Sequence, residues 1–281
     1  MAQPAVTNSD GERPFAVITG ASRGIGAEYA RALAARGYDL LLIARDEGTL
    51  RSLADTLVHD YGGAVETAVI DLAEPGAAQR LHAAARARRP HVDLLVNNAG
   101  FGFFGEFARM SPASLEAMLH LHVVTVVETI RLILPHMIAR RSGFIITVAS
   151  VAGFLPIPYM TVYSSTKSFL IAFSQSLAEE VRPYGVTVQV CCPGSTATEF
   201  HRRAGSKPHD PLSLQSPAEV VRVSLSRLGS GPVVVPTGFT GHLMRLARLC
   251  LPDRLWARWS GRWMHRAVSR RSKPERPSIQ P

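Results

Sequence analysis

Four apolar residues, Phe15-Ala16-Val17-Ile18, run straight into the turn Thr19-Gly20-Ala21-Ser22-Arg23-Gly24-Ile25-Gly26, and a helix-like stretch from about Ala27 to Arg36 follows. Strand, glycine turn and helix in that order leave few folds open. Glycines let backbone approach a bulky anion closely, and the first turn of a helix offers N–H groups with no intrahelical partner. The pattern predicts a pyrophosphate held at the start of the first helix, with Gly20, Ser22, Arg23, Gly24, Ile25 and Gly26 around it. The spacing is Gly-x-x-x-Gly-x-Gly, which is not the Gly-x-Gly-x-x-Gly of the general dinucleotide fingerprint.

Downstream, short apolar runs alternate with helix-like stretches, the signature of a parallel sheet covered by helices on both faces. Strands are expected at 15–19, 39–44, 65–70, 94–96, 144–149 and 186–191, with a short last one at 233–235. Asp39 to Ala44 reads almost without polar interruption, as a strand buried on both faces does. Long helices are expected at 114–141 and 163–182. The fold class is therefore α/β, a doubly wound parallel sheet of Rossmann type. Within 281 residues it fits one large domain, here 14–240, preceded by a flexible polar tail at 1–13 and followed by a basic extension at 241–281. Hydrophobic residues make up 46% of the chain, enough for a sizeable core, and no uninterrupted apolar stretch approaches the ~18 residues of a membrane span. The polar start lacks a signal-peptide core, so a cytoplasmic location is expected. Cys191, Cys192 and Cys250 form no disulfide framework, and metal-ligand spacing is absent.

The chemistry is written further along. Ser150 closes the fifth strand, Tyr163 follows thirteen residues later, and Lys167 lies four beyond that. Residues four apart share a helix face. An ammonium beside a phenol favours phenolate, which would bring the ordinary tyrosine pKa of about 10 toward neutrality. The Tyr-x-x-x-Lys pair with the upstream serine and the glycine turn points to hydride transfer. In this order the motifs resemble the short-chain dehydrogenase/reductase superfamily, from about Phe15 to Thr198. The resemblance implies that Asp71-Leu72 holds an adenine ring and that Asn97-Asn98-Ala99-Gly100 is the motif after the fourth strand. It also implies that Pro193-Gly194, with Thr196 and Thr198, covers the nicotinamide and its carboxamide. Tyr163 is then the general acid/base, Ser150 orients the same oxygen, and Lys167 both lowers the phenol pKa and binds the nicotinamide ribose.

Charge selects the cofactor. Where dinucleotide folds carry an acidic residue for the ribose 2′-OH, this chain has Ala44, followed by Arg45. With Arg23 in the glycine turn, two guanidinium groups stand ready for a 2′-phosphate, so NADP(H) is favoured over NAD(H). The competing reading of Arg45 is a solvated residue paired with Asp46 or Glu47.

One position departs from the family pattern. In Leu121-His122-Val123, His122 stands where many members carry an asparagine that helps hold a relay water to the lysine. It reads as a helix-packing histidine, as part of an altered relay that titrates near neutral pH, or as the mark of a degraded site. The last of these motivates an alternative function, a dinucleotide-binding regulatory protein with weak or no turnover.

Between Gly241 and Pro281 there are nine arginines and one lysine against Asp253 and Glu275, so eight of the nine net positive charges of the chain lie there. Arg254, Arg258, Arg262 and Arg266 recur every four residues with Leu255, Trp259 and Trp263 beside them, describing a basic amphipathic helix interrupted near Gly261. Its apolar face is expected to pack on the substrate cleft or a second subunit, or to lie on an anionic membrane surface. No base-reading motif accompanies the charge, so nucleic acid is not an expected partner. Phe101, Phe103, Phe104 and Phe107, with Leu155, Ile157 and Tyr159, follow strand ends where such sheets bind ligands. They make a lipophilic ketone (fatty-acyl, steroid or polyketide-like) the expected substrate, reached past a lid between Thr198 and Ser216. The two long helices match those through which members of the resembled family commonly dimerise, so the resemblance implies a homodimer or homotetramer.

Overall fold

The computed structural model describes residues 12–197, 215–234 and 252–269. Among these residues seven strands form one parallel sheet in the order β3-β2-β1-β4-β5-β6-β7. They are β1 Phe15–Thr19, β2 Asp39–Ala44, β3 Val65–Val69, β4 Leu94–Asn97, β5 Gly143–Val148, β6 Val186–Cys191 and β7 Val233–Val234. Helices α1 Gly24–Ala34, α2 Glu47–Tyr61, α3 Ala77–Arg86, α4 Pro112–Leu119, α5 Thr125–Arg140, α6 Thr161–Val181 and α7 Pro217–Ser226 lie between them, and α8 Asp253–Ser269 follows β7. This is the doubly wound, Rossmann-type sheet that the sequence predicts.

Side-chain alternation along the central strands builds both layers. Val17, Leu41, Leu95 and Ile145 face α3, α5 and α6 through Leu81, Ile133 and Leu170. Their neighbours Ile18, Leu42, Leu94 and Ile146 face α1, α2 and α7 through Leu33, Leu57 and Val221. With both faces covered, β1 and β2 are buried at every residue. The edge strand β3 is half-buried, and its Val69 is exposed. The chain enters the sheet at β1, winds outward to β3, then returns beside β1 as β4. That reversal opens a crevice beyond the carboxyl ends of β1 and β4, where sheets of this kind bind ligands.

A buried polar tie joins α1, β6 and α7. Tyr29 donates its hydroxyl to Ser224 at 2.6 Å, and the Gln189 amide donates to the Ser224 hydroxyl at 2.7 Å and to its carbonyl at 3.3 Å. Burial pushes the Tyr29 phenol well above its ordinary pKa.

Three expectations need correction. Arg13, assigned to a flexible tail, is pinned: its guanidinium donates to the Gly62 carbonyl at 3.2 Å and pairs with Asp39 at 3.3 Å. The helix expected at 114–141 is α4 and α5 joined by a π-helical turn, His120–Val124. Among the described residues the run Pro112–Arg140 has the length and apolarity to cross a membrane, yet Ile130, Ile133 and Met137 within it are core residues. Lastly, α8 is unbroken at Gly261, because that glycine serves close packing: a Cβ there would stand 3.3 Å from Pro158 Cγ.

Candidate active site

The glycine turn is held by β4. Thr19 Oγ1 donates to the Val96 carbonyl at 3.2 Å and accepts from the Asn98 and Ala99 backbone N–H groups at 2.9 and 3.1 Å. The Asn98 side-chain amide donates to the carbonyls of Thr19 and Gly20 at 2.9 and 3.2 Å. Asn98 therefore shapes the turn. Gly20 has φ +64°, a region that favours glycine. At Gly26 a Cβ would lie 2.2 Å from the Gly20 carbonyl oxygen, so only glycine lets α1 start this close to the turn. No side chain caps α1, and the N–H groups of its first turn point toward a ligand position as a helix N-terminus does.

One cavity of about 2130 Å³ runs from this turn across the crevice. It exceeds the ~300–1,000 Å³ usual for a single small ligand, leaving room for a dinucleotide and a substrate together. Gly20, Ser22, Arg23, Gly24 and Ile25 line one end, with Arg45 and Asp71-Leu72 at the β2 and β3 side. Asn98, Ala99, Gly100, Pro193, Gly194 and Thr196 line the middle, beside Ser150, Tyr163 and Lys167. Gly26 and His122 sit behind this wall, and Thr198 lies outside the described residues, as does the expected lid apart from Gln215 and Ser216.

Both candidate phosphate-binding arginines already hold a carboxylate. Arg23 pairs with Asp46 at 2.5 Å, and Arg45 pairs with Asp71 at 3.4 Å rather than with Asp46 or Glu47. Asp46 also caps α2 by accepting from the Thr49 N–H at 3.1 Å, which holds its carboxyl below the usual carboxylate range. Asp71 accepts from the Ala73 N–H at 2.9 Å.

Just beyond the carboxyl end of β5, Ser150 Oγ accepts from the Ala152 N–H at 3.1 Å, and its hydroxyl bonds with the Tyr163 phenol. Lys167 Nζ donates to the Val148 carbonyl at 3.0 Å and lies 5.7 Å from the centre of the Tyr163 ring. The expected lowering of the phenol pKa does not occur in this environment. Burial pushes Tyr163 up to about 12, against which the Ser150 hydrogen bond acts downward. Burial also pushes Lys167 down to about 8. The physical reason is that both groups sit among core atoms, where each charged form loses water, and the lysine reaches past the ring to the end of β5.

His122 is buried and wired. Its Nε2 accepts from the Phe101 N–H at 3.2 Å, and its Nδ1 is 3.0 Å from Thr166 Oγ1, which in turn donates to the Tyr163 carbonyl at 2.8 Å. Because the Thr166 proton points at that carbonyl, Nδ1 must be the protonated nitrogen, and the ring is neutral. Burial, then the charge of Lys167, depress its pKa well below the ordinary value. The ring packs edge-on against Tyr163 with centroids 5.8 Å apart.

The apolar end of the cavity differs in detail from expectation. Phe101, Phe104 and Ile157 line it, whereas Leu155 belongs to the core and Phe107 is exposed. Phe103 packs in a small cluster with Met110 and Met118. Tyr159 instead clamps α8, its hydroxyl 2.8 Å from His265 Nδ1. Sequence reasoning missed Met160, Trp256, Ser260 and Met264 as lining residues. Trp259 and Trp263, read in the sequence as the apolar face of the basic helix, line the same cavity.

The model of the short chain dehydrogenase family matches residues 14–209. A very-long-chain 3-oxoacyl-CoA reductase of Phaeosphaeria nodorum is 34% identical over 231 residues, covering 80% of this chain and 66% of that protein. Very-long-chain 3-oxoacyl-CoA reductase-A of Danio rerio is 33% identical over 190 residues, covering 66% of this chain and 59% of that protein. The chain thus spans no more than two thirds of the length of these curated relatives. Among solved structures, a short-chain dehydrogenase from Sphingobium yanoikuyae in complex with NADPH superposes with a TM-score of 0.75 at 30% identity, covering 95% of this chain and 99% of that one. The match runs from before β1 to beyond β6, through the glycine cradle and the Ser150–Tyr163 corner alike, and so the chain belongs to the short-chain dehydrogenase family.

Proposed function

We propose that this protein is an NADP(H)-dependent oxidoreductase that interconverts a carbonyl and a secondary alcohol on a lipophilic fatty-acyl substrate, with a long-chain 3-oxoacyl thioester as the best fit. The observation that carries this reading is the meeting of the Ser150 and Tyr163 hydroxyls on a cavity with the glycine cradle at one end and an apolar mouth at the other. The names of the reductase relatives and the NADPH in the related solved structure support it.

The cradle fits a dinucleotide: the space that a Cβ on Gly20 or Gly26 would fill is where backbone is drawn tight beneath the diphosphate position. Arg23 and Arg45 would meet the 2′-phosphate. Each would exchange an exposed carboxylate partner, worth about 0–1 kcal/mol, for a phosphate that a guanidinium binds in two-pronged fashion. When bound, NADPH supplies the hydride. Tyr163 gives its proton to the carbonyl oxygen as that oxygen becomes alkoxide, and Ser150 donates a hydrogen bond to the same atom. A phenol held near 12 is fully protonated at neutral pH and so enters reduction as an acid. The Lys167 ammonium then stabilises the phenolate left behind, and His122 fixes the Tyr163 backbone through Thr166. A cytoplasmic homodimer formed through the outer faces of α5 and α6, where Phe169 stays exposed, completes the proposal.

The test is NADPH oxidation with long-chain 3-oxoacyl thioesters and bulky ketones, beside a Tyr163→Phe variant. Loss of the phenol proton should reduce kcat by about 10²–10⁴ while NADPH binding, followed by fluorescence, is retained. Full activity in that variant would refute the acid role.

A further inference from the structure

Helix α8 has two apolar edges: among the described residues one is docked and largely buried, and the other is largely exposed. The docked edge is secured at several points. Trp256 packs against the core, while Ser260 and Met264 are buried. Gly261 abuts Pro158, and His265 meets the Tyr159 hydroxyl. Tyr159 itself has φ +66°, a left-handed conformation that a tyrosine rarely adopts. It is held there by this contact and by its carbonyl, which accepts from the Gly105 N–H at 2.9 Å. The orientation of α8 is therefore well determined.

The second edge faces out. Leu255, Trp259 and Trp263, spaced by four, are 47%, 64% and 45% exposed. Arg254, Arg258 and Arg262, each one residue earlier, run parallel to them and are also exposed. Trp259 and Trp263 at the same time line the apolar end of the cavity, so this edge is its rim. The sequence adds Arg270, Arg271, Lys273 and Arg276 against Glu275 beyond the helix.

Charge decides what such an edge meets. A second copy of the same edge would bring arginine rows face to face, a repulsive arrangement. Indole rings bordered by guanidinium groups match the boundary of an anionic bilayer, where tryptophan sits at headgroup level and arginine reaches phosphate. We propose that α8 seats this protein on an anionic membrane surface through Leu255, Trp259 and Trp263, with Arg254, Arg258 and Arg262 on lipid phosphates, so that the mouth of the cavity opens against the bilayer. The proposal stands on α8 and does not depend on the reductase reading.

The experiment uses the full chain with vesicles of phosphatidylcholine alone and of phosphatidylcholine with about one third phosphatidylglycerol, analysed by co-sedimentation and tryptophan emission. Binding to the anionic vesicles is expected, with a blue shift and quenching by brominated acyl chains, and it should weaken as salt rises. At about fivefold per cation near such a surface, replacing Arg254, Arg258 and Arg262 by Gln should weaken partitioning about a hundredfold. NADPH oxidation with a small soluble ketone should be unchanged in that variant. Trp259→Ser with Trp263→Ser should sharply reduce sedimentation with the anionic vesicles. The proposal is overturned by equal sedimentation of wild type and the arginine variant, by binding competed away with inorganic phosphate at fixed ionic strength, or by a tryptophan variant that alters the oligomeric mass without altering vesicle binding.

Discussion

Replacing His122 by Asn tests whether the buried histidine is neutral scaffolding for Tyr163. Asparagine is too short to reach both the Phe101 N–H and Thr166 Oγ1, so one of the two contacts is lost and a buried group is left without its bond. That loss costs about 1–3 kcal/mol, and the trimmed ring leaves a gap against Tyr163 and Phe101 worth about 1 kcal/mol more. The variant should be about 2–4 kcal/mol less stable at pH 7, or roughly 4–8 °C lower in Tm for a chain of this size. The pH dependence is the sharper readout. Protonation would place an N–H against the Phe101 N–H, so the native ring stays neutral, and its pKa is held well below 6.5 by burial and by Lys167. In the unfolded chain the same ring takes up a proton below about 6.5. Unfolded protein then binds more protons than native, and wild-type stability falls with falling pH by about 1.4 kcal/mol per unit from this group alone. Asparagine has no such term, and the nine other histidines cancel in the comparison. The stability gap between wild type and variant, from urea midpoints at pH 7, 6 and 5, should therefore narrow as pH falls. A gap that stays constant would mean that the folded ring titrates normally, and the neutral wiring would be wrong.

Gly26→Ala should spread the turn, since its Cβ would lie 2.2 Å from the Gly20 oxygen; losing one or two backbone contacts to the diphosphate should weaken NADPH binding by about tenfold or more in a titration, and unaltered affinity would contradict the cradle. Ser224→Ala removes the acceptor of the Tyr29 hydroxyl and leaves the Gln189 amide only its longer bond to the backbone carbonyl of residue 224, and should lower stability by about 1–3 kcal/mol in chemical denaturation. Lys167 is held at about 8, below the ordinary lysine value of 10.5. Between those values the unfolded chain keeps a proton that the native protein lacks, so its contribution raises stability as pH climbs. Wild type should gain on the order of 3 kcal/mol relative to Lys167→Met from pH 8 to pH 10.5. Parallel curves for the two proteins would place the lysine in a more solvated setting than the structure does.

How much was legible depended on whether the controlling force is local. The central strands could be read because a two-sided burial demand leaves an unbroken apolar run, Leu40 to Ile43 in β2. The glycines could be read because their requirement is steric and confined to a few residues. The π-helical turn at His120–Val124 could not: one extra residue in a helical turn leaves the apolar composition of 114–141 unchanged. The tie between Tyr29 and Ser224 spans 195 positions, and no periodicity reports a contact of that range. For Tyr163 the spacing to Lys167 was right and the electrostatic consequence was not, because helical proximity says nothing about dehydration of the pair. On α8 the sequence displayed one apolar edge, Leu255, Trp259 and Trp263, and the docked edge with Trp256 and Met264 emerges only from its partners, Pro158 and the strained Tyr159.

These contrasts divide the site into two kinds of structure. Each candidate group is held by a nearby partner: Ser150 by the Ala152 N–H just after β5, the Tyr163 backbone through Thr166 of the same helix and His122, and Lys167 by the Val148 carbonyl at the end of β5. All of these partners are backbone groups or buried side chains, so the positions of Ser150, Tyr163 and Lys167 should be insensitive to what occupies the mouth. The mouth, by contrast, is built from side chains of Ile157, Met160, Trp259 and Trp263, on a loop and a helix that join the core through a few points of contact. Such walls can change with little effect on the corner they surround. Substitutions on α8 should therefore alter which substrates are accepted, appearing chiefly in KM, while substitutions at His122 or Thr166 should appear in kcat for every substrate alike.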